Sequence, residues 1–110
     1  MISKRHRLPA FAIRTIIRTG KRMESPVLSA SITHKATQAS WRGAIVVAAS
    51  VDKRAVVRNR IRRVISESLR AFEDRIPPSM DIVMRVKKGF LYETQEQSTK
   101  QVQALLDQLV

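Results

Sequence analysis

The sequence has no cysteine. That excludes disulfide staples, thiol nucleophiles and zinc–thiolate sites, and it fits a reducing cytoplasm. Only 3 glycines occur, and aromatic residues make up 5% of the chain, so few rings are on hand for stacking. No Gly/Ser linker, internal repeat or low-complexity tract divides it. No apolar run approaches the roughly 20 residues of a membrane span. The N-terminus is basic through Lys4, Arg5, His6 and Arg7, yet Pro9 and Arg14 interrupt the next residues and no signal-peptide pattern forms. The expectation is a cytoplasmic protein with no membrane partner.

Acidic residues are also scarce. Against 21 Lys+Arg stand 9 Asp+Glu, a formal net charge of +12. Such a surface attracts polyanions. The excess is uneven: residues 1–70 hold 16 basic side chains and 3 acids, whereas residues 71–110 hold 5 and 6. The polyanion-facing surface therefore belongs to the first two-thirds. At 110 residues, 44% of them hydrophobic, the chain suits a single domain over 1–110 with one core.

Pro9 suits the first turn of a helix over 9–19, with Ile13, Ile16 and Ile17 at helical spacing. Gly20 stands where a left-handed cap is wanted. From Pro26 to His34 the pattern alternates, which predicts a half-exposed strand, and 35–40 reads as a loop. Trp41 to Ala49 reads as a second strand, apolar on both faces around Ala44–Ala49 and hence central in the sheet. Residues 54–73 are helical and end before Ile76-Pro77-Pro78-Ser79. Asp81–Val86 reads as a strand, and Val102, Leu105, Leu106 and Leu109 stripe a last helix over 93–109. This order predicts a small α/β sandwich.

The informative segment is 53–70, with 7 Lys/Arg and one acid. At about 100° per residue, Val57, Ile61, Val64, Ile65, Ser68 and Phe72 share one face. Arg58, Asn59, Arg62, Arg63 and Arg70 fill the opposite side, with Arg60 on a flank. One face can dock on a sheet while the other offers guanidinium forks to phosphates. Asn59 can donate and accept at a base edge or a 2′-hydroxyl. A solvated face laced with ion pairs is the plainer alternative, but Glu67 can neutralise only part of this cluster. Spacing alone does not choose RNA over DNA.

Ala55-Val56-Val57-Arg58-Asn59-Arg60-Ile61-Arg62-Arg63, followed by Ile65, Glu67 and Arg70, resembles the RNR motif of the bacterial ribonuclease P protein family. His6-Arg7-Leu8 and the helix to Gly20-Lys21-Arg22 resemble that family's N-terminal segment. Pro77-Pro78, Asp81-Ile82-Val83 and Lys87-Lys88-Gly89 resemble its last strand and following loop. The resemblance covers nearly the whole chain. It implies an α+β two-layer sandwich of three helices and a four-stranded sheet, in the order α-β-β-β-α-β-α.

The role that the resemblance implies is to bind a catalytic RNA and the 5′ leader of precursor tRNA, so that the leader is removed in tRNA maturation. The RNA subunit would carry the hydrolysis and the complex would need divalent magnesium, with no cofactor bound by the protein alone. Arg54, Arg58, Asn59, Arg60, Arg62, Arg63 and Arg70 would face the catalytic RNA. Arg7, Ile13, Arg14, Ile17, Trp41 and Lys53 are candidates for a leader-binding cleft between the sheet and the first helix. No residue is assigned to catalysis or to a metal site. A metal-dependent nuclease needs clustered carboxylates or histidines, and residues 1–70 offer only Glu24, Asp52 and Glu67, widely separated, with His6 and His34. His6 reads as an exposed member of the basic arm, and His34 as closing a strand.

Several positions depart from the family pattern. Ile13 and Ile17 stand where helix-one aromatics are usual, and Ala30 corresponds to a common strand tyrosine. Ala48-Ala49-Ser50 replaces a Ser-Lys-Lys pattern. Phe11 lies about 160° around the helix from Ile13 and does not substitute for it. Three other readings share the composition: a structural RNA-binding protein of ribosomal type, a DNA-binding regulator, and a self-sufficient nuclease.

Overall fold

The computed structural model describes residues 2, 4–34, 40–92 and 94–109. Pro9, with φ −61° and ψ 142°, delivers the chain into α1 (Ala10–Thr19). Three strands come next: β1 (Lys21–Glu24), β2 (Leu28–His34) and β3 (Arg42–Val46). Then come α2 (Ala55–Ala71), β4 (Met80–Val86) and α3 (Gln95–Leu106). The three helices and four strands follow the expected order. The expected loop at 35–40 lies, apart from Ser40, outside the described residues.

The sheet order is β1-β2-β4-β3, antiparallel except for the β3–β4 pair, whose parallel crossover runs through α2. Alternation along β4 assigns the two faces. Ile82 and Met84 point to α2 and α3, where they meet Leu28, Ala30 and Ile32 of β2 and Ile61, Ile65 and Leu69 of α2. Val83 points the other way, to Leu8 and Ile16, with Ile13, Ile17, Ala44 and Val46 packed around them. Each fully buried aliphatic side chain contributes roughly 1.5–3 kcal/mol. The α2/α3 side is therefore the principal core, and α1 lies across part of the opposite face. A buried Ser68–Ser98 hydrogen bond of 2.9 Å joins α2 to α3. Thr94 and Gln97 close a reciprocal capping box that starts α3.

Four local expectations change. Strand β1 is additional to the pattern reading: of Lys21, Arg22, Met23 and Glu24, only Met23 is buried. Strand β2 is buried from Leu28 through Ile32 rather than half-exposed, since α1 packs on it from the side opposite the core and Arg85 lies beside Ser29. Strand β3, expected to be central, is one of the sheet's two outer strands, and among the described residues only its start is paired outward, by an Arg7–Gly43 bridge and the Leu8 N–H donating to Gly43 O at 2.9 Å. Gly20 is extended (φ −76°, ψ 160°), not left-handed. It is required for close approach, since a Cβ there would lie 2.7 Å from both Ile16 O and Ile32 O.

Candidate nucleic-acid interface

The entry to α2 organises the basic helix. The Asp52 carboxylate accepts the Arg54 backbone N–H at 2.8 Å and a bidentate pair from its guanidinium at 3.0 and 2.9 Å. These hydrogen bonds from Arg54 hold the Asp52 carboxyl down at about 2. Arg58 curls back to donate to Asp52 O at 2.9 Å and Lys53 O at 2.8 Å, carbonyls that precede the helix. Arg62 donates to Asn59 Oδ1 at 2.6 Å, which fixes the amide's orientation. Arg70 sits 3.6 Å from Glu67. Arg60 and Arg63 are exposed and make no ion pair or hydrogen bond among the described residues.

The structure thus sorts the candidate arginines. Arg54 is tied to Asp52, Arg58 fastens the entry turn, and Arg60 and Arg63 extend their full charge to solvent. Opposite, Ile61, Ile65, Ser66, Ser68 and Leu69 are buried. Ser68 takes its place by donating to Val64 O at 3.0 Å, so its hydroxyl is satisfied in the core. Val57, Val64 and Phe72 are only partly buried, at the margins of that contact.

Two cavities lie along β3. One, of about 340 Å³, is lined by Arg7, Leu8, Ile13, Gly43, Ala44 and Arg62 among others. It brings together Arg7 and Ile13, expected at the leader, with Arg62, expected at the catalytic RNA. The backbone bridge to Gly43 is what carries Arg7 there. The other, of about 330 Å³, includes Arg22, Glu24, Ser29, Val46, Ala48, Arg85 and Lys87. Arg14 and Lys53 are exposed, and Ile17 packs against the Leu8–Ile16–Val83 cluster.

Three side chains sit elsewhere than expected. Trp41 is in the core, 7% exposed, with His6 stacked on its ring. His6 is likewise buried rather than part of an exposed arm, since its Nδ1 donates to Trp41 O at 2.9 Å. Ala30 faces the α2/α3 core, so the residues of β2 on the α1 side are Ser29 and Ser31. His34 does end β2, where Nδ1 lies 3.3 Å from Ser79 Oγ. Arg85 is a cleft residue that sequence reasoning does not single out. Its signal is a charge placed mid-pattern, on the same side of β4 as Val83.

The Ribonuclease P family model matches residues 2–110. The ribonuclease P protein component of Synechococcus elongatus is 34% identical over 112 residues, covering 99% of this chain and 85% of that protein. Among solved structures, RNase P protein from Staphylococcus aureus superposes with a TM-score of 0.83 at 19% identity, covering 93% of each chain. RNase P protein from Thermotoga maritima superposes with a TM-score of 0.82 at 22% identity, covering 94% of this chain and 97% of that one. No helix among the described residues is long and apolar enough to cross a membrane. Sequence match, fold and basic helix agree: this chain belongs to the ribonuclease P protein family.

Proposed function

We propose that this chain is the protein subunit of a ribonuclease P ribonucleoprotein. It docks on the catalytic RNA through the outer face of α2 and holds the 5′ leader of precursor tRNA between α1 and the sheet. The RNA carries the hydrolysis. The observation that carries this reading is the state of Arg60 and Arg63: exposed, unpaired among the described residues, and fixed on a rigid helix. Like charges so placed repel one another, and RNA phosphates relieve that repulsion while releasing counterions.

Among the described residues no three His, Asp or Glu side chains converge as a metal-binding group. This donor set does not fit a resident metal, so we assign the magnesium to the RNA–protein complex and derive no step through it. The chain's own contribution is electrostatic and positional.

The test is reconstitution. Mixed with the catalytic RNA of its own organism, the protein is expected to restore leader cleavage at low magnesium, and alone it is expected to cleave nothing. Binding to that RNA without stimulation would favour a structural RNA-binding protein. Cleavage by protein freed of RNA would assign the chemistry to the chain.

A further inference from the structure

One charge on the α1 side of the sheet is unexplained by the fold. Arg85 is near the end of β4, beside Ser29 of β2 and Val46 of β3, so its guanidinium rises from a central strand rather than an edge. The residue is half-buried. Its Nε is fully buried with no acceptor among the described residues, and Nη2 reaches Ser29 Oγ at 3.5 Å. No carboxylate among the described residues lies within ion-pair distance of it. Glu24, the acid in the same cavity, is engaged by Lys87 at 2.7 Å and Arg22 at 3.8 Å. Ser31, on the same face of β2, adds a second fully buried polar atom without a partner among the described residues, its Oγ.

A guanidinium in this state has given up part of its solvation for one long hydrogen bond, with its Nε left unanswered, and an anion would complete it. The cavity supplies an anion's surroundings: Arg22, Arg85 and Lys87 against the single carboxylate of Glu24. Ala48, also on its wall, brings no charge. The cavity with Arg7 and Arg62 wraps the edge of β3 and takes in Ala44, and this one takes in Val46, two residues on along the α1 face of that strand. That is a step of about 7 Å. Two cation-lined cavities on one strip suit a polymer of phosphates better than a free ion.

We infer that Arg85 is the residue of this cleft that grips a backbone phosphate of the single-stranded leader, with Arg22 and Ser29 beside it. The inference rests on the reading of the α1 side of the sheet as the leader's place, with this cavity, lined by the strands and the segments after them, continuing that surface beyond the helix. It assigns the contact to charge on a strand rather than to a stacked ring. The contact is therefore indifferent to base identity.

The test uses the assembled RNA–protein complex with precursor tRNA carrying a leader, and with leaderless tRNA, against Arg85→Met and Arg85→Lys. Arg85→Met should lose about tenfold of the leader-dependent affinity, as expected for one charge-assisted contact. The salt slope should fall by about 0.7, leaderless binding should not change, and Arg85→Lys should recover part of the loss. In parallel, a neutral methylphosphonate at one leader linkage should reproduce the loss with the unmodified protein and add nothing in Arg85→Met. If the unmodified protein favours the leader and Arg85→Met does so equally, or if no single linkage matters, the Arg85 assignment is overturned while the cleft reading stands. If leader and leaderless substrates bind alike to the unmodified complex, the cleft reading itself falls and the inference with it.

Discussion

His6 lies flat on Trp41, with ring centroids 4.2 Å apart and planes 8° from parallel. Its Nδ1–H donates to Trp41 O at 2.9 Å, and its Nε2 faces Glu73 Oε1 at 3.3 Å. The N-terminal segment is thereby clamped to the start of β3 and to the turn after α2. His6→Ala should cost about 1–3 kcal/mol in urea unfolding, because it removes a stacked ring and leaves a buried carbonyl without its donor. Trp41 is the chain's one tryptophan, so its emission reports this contact. Adding single-stranded RNA should leave that emission nearly unchanged, and strong quenching would put the ring against RNA instead.

The free arginines of α2 give the cleanest test of docking. Arg60→Ala with Arg63→Ala should leave the melting temperature nearly unchanged, since neither side chain has a partner to lose among the described residues. Affinity for the catalytic RNA should fall by roughly 1.5–3 kcal/mol per contact. Arg58→Ala should differ, losing both affinity and stability, because Arg58 also fastens the turn before the helix. Titrations at several salt concentrations alongside thermal melts separate the two behaviours.

Asp81 has a fully buried side chain that accepts Arg42 Nε at 3.0 Å and Nη2 at 2.9 Å. Arg42→Met takes the bidentate Arg42 pair from a fully buried carboxylate. A loss below the roughly 3–5 kcal/mol of a fully broken buried pair is expected, because Asp81 keeps other interactions. Asp81→Asn should cost less, because the Arg42 side chain is 26% exposed and can be hydrated. Denaturant midpoints of the two variants would show the order, and the reverse order would contradict this account.

Acid stability should carry the mark of Asp52. Its carboxyl titrates at about 2 in the folded chain, against an ordinary 3.8, because Arg54 hydrogen-bonds the ionised form. A depressed folded value means that the stabilisation is complete above the unfolded value, near pH 4. It fades as pH falls toward about 2. The stability gap between the native chain and Asp52→Asn should thus be constant near neutrality and close between about pH 4 and pH 2. Urea unfolding across that range, at fixed ionic strength, checks the window.

Much of the fold and of the basic face is legible in the residues because helical periodicity and charge are local. The α2 boundaries, its arginine-rich side and the start of α1 after Pro9 all come from spacing within a few turns. The features that are not legible depend on partners distant in sequence. Lys21–Glu24 is a strand because β2 offers it an edge, and Ser31 is buried beside Val83 on the side of the sheet where α1 packs. Ala44–Val46 is apolar on both faces for a reason other than central placement: α1 and Leu8 cover one side and the main core the other. Trp41 illustrates the limit for the site, since its burial depends on His6, 35 positions earlier in the chain.

Met84 and Arg85 are neighbours on β4, yet one fills the core and the other stands in the cleft. Frame along this strand is therefore itself a functional quantity. A single-residue deletion between Asp81 and Val83 would move each later residue of the strand back one step, driving the Arg85 guanidinium into Met84's place in the hydrocarbon and putting Val86 where the cation stood. The same deletion in an exposed connection would move neither side chain. Tolerance to insertions and deletions in this chain should accordingly follow the sheet's two-residue rhythm rather than distance from the RNA.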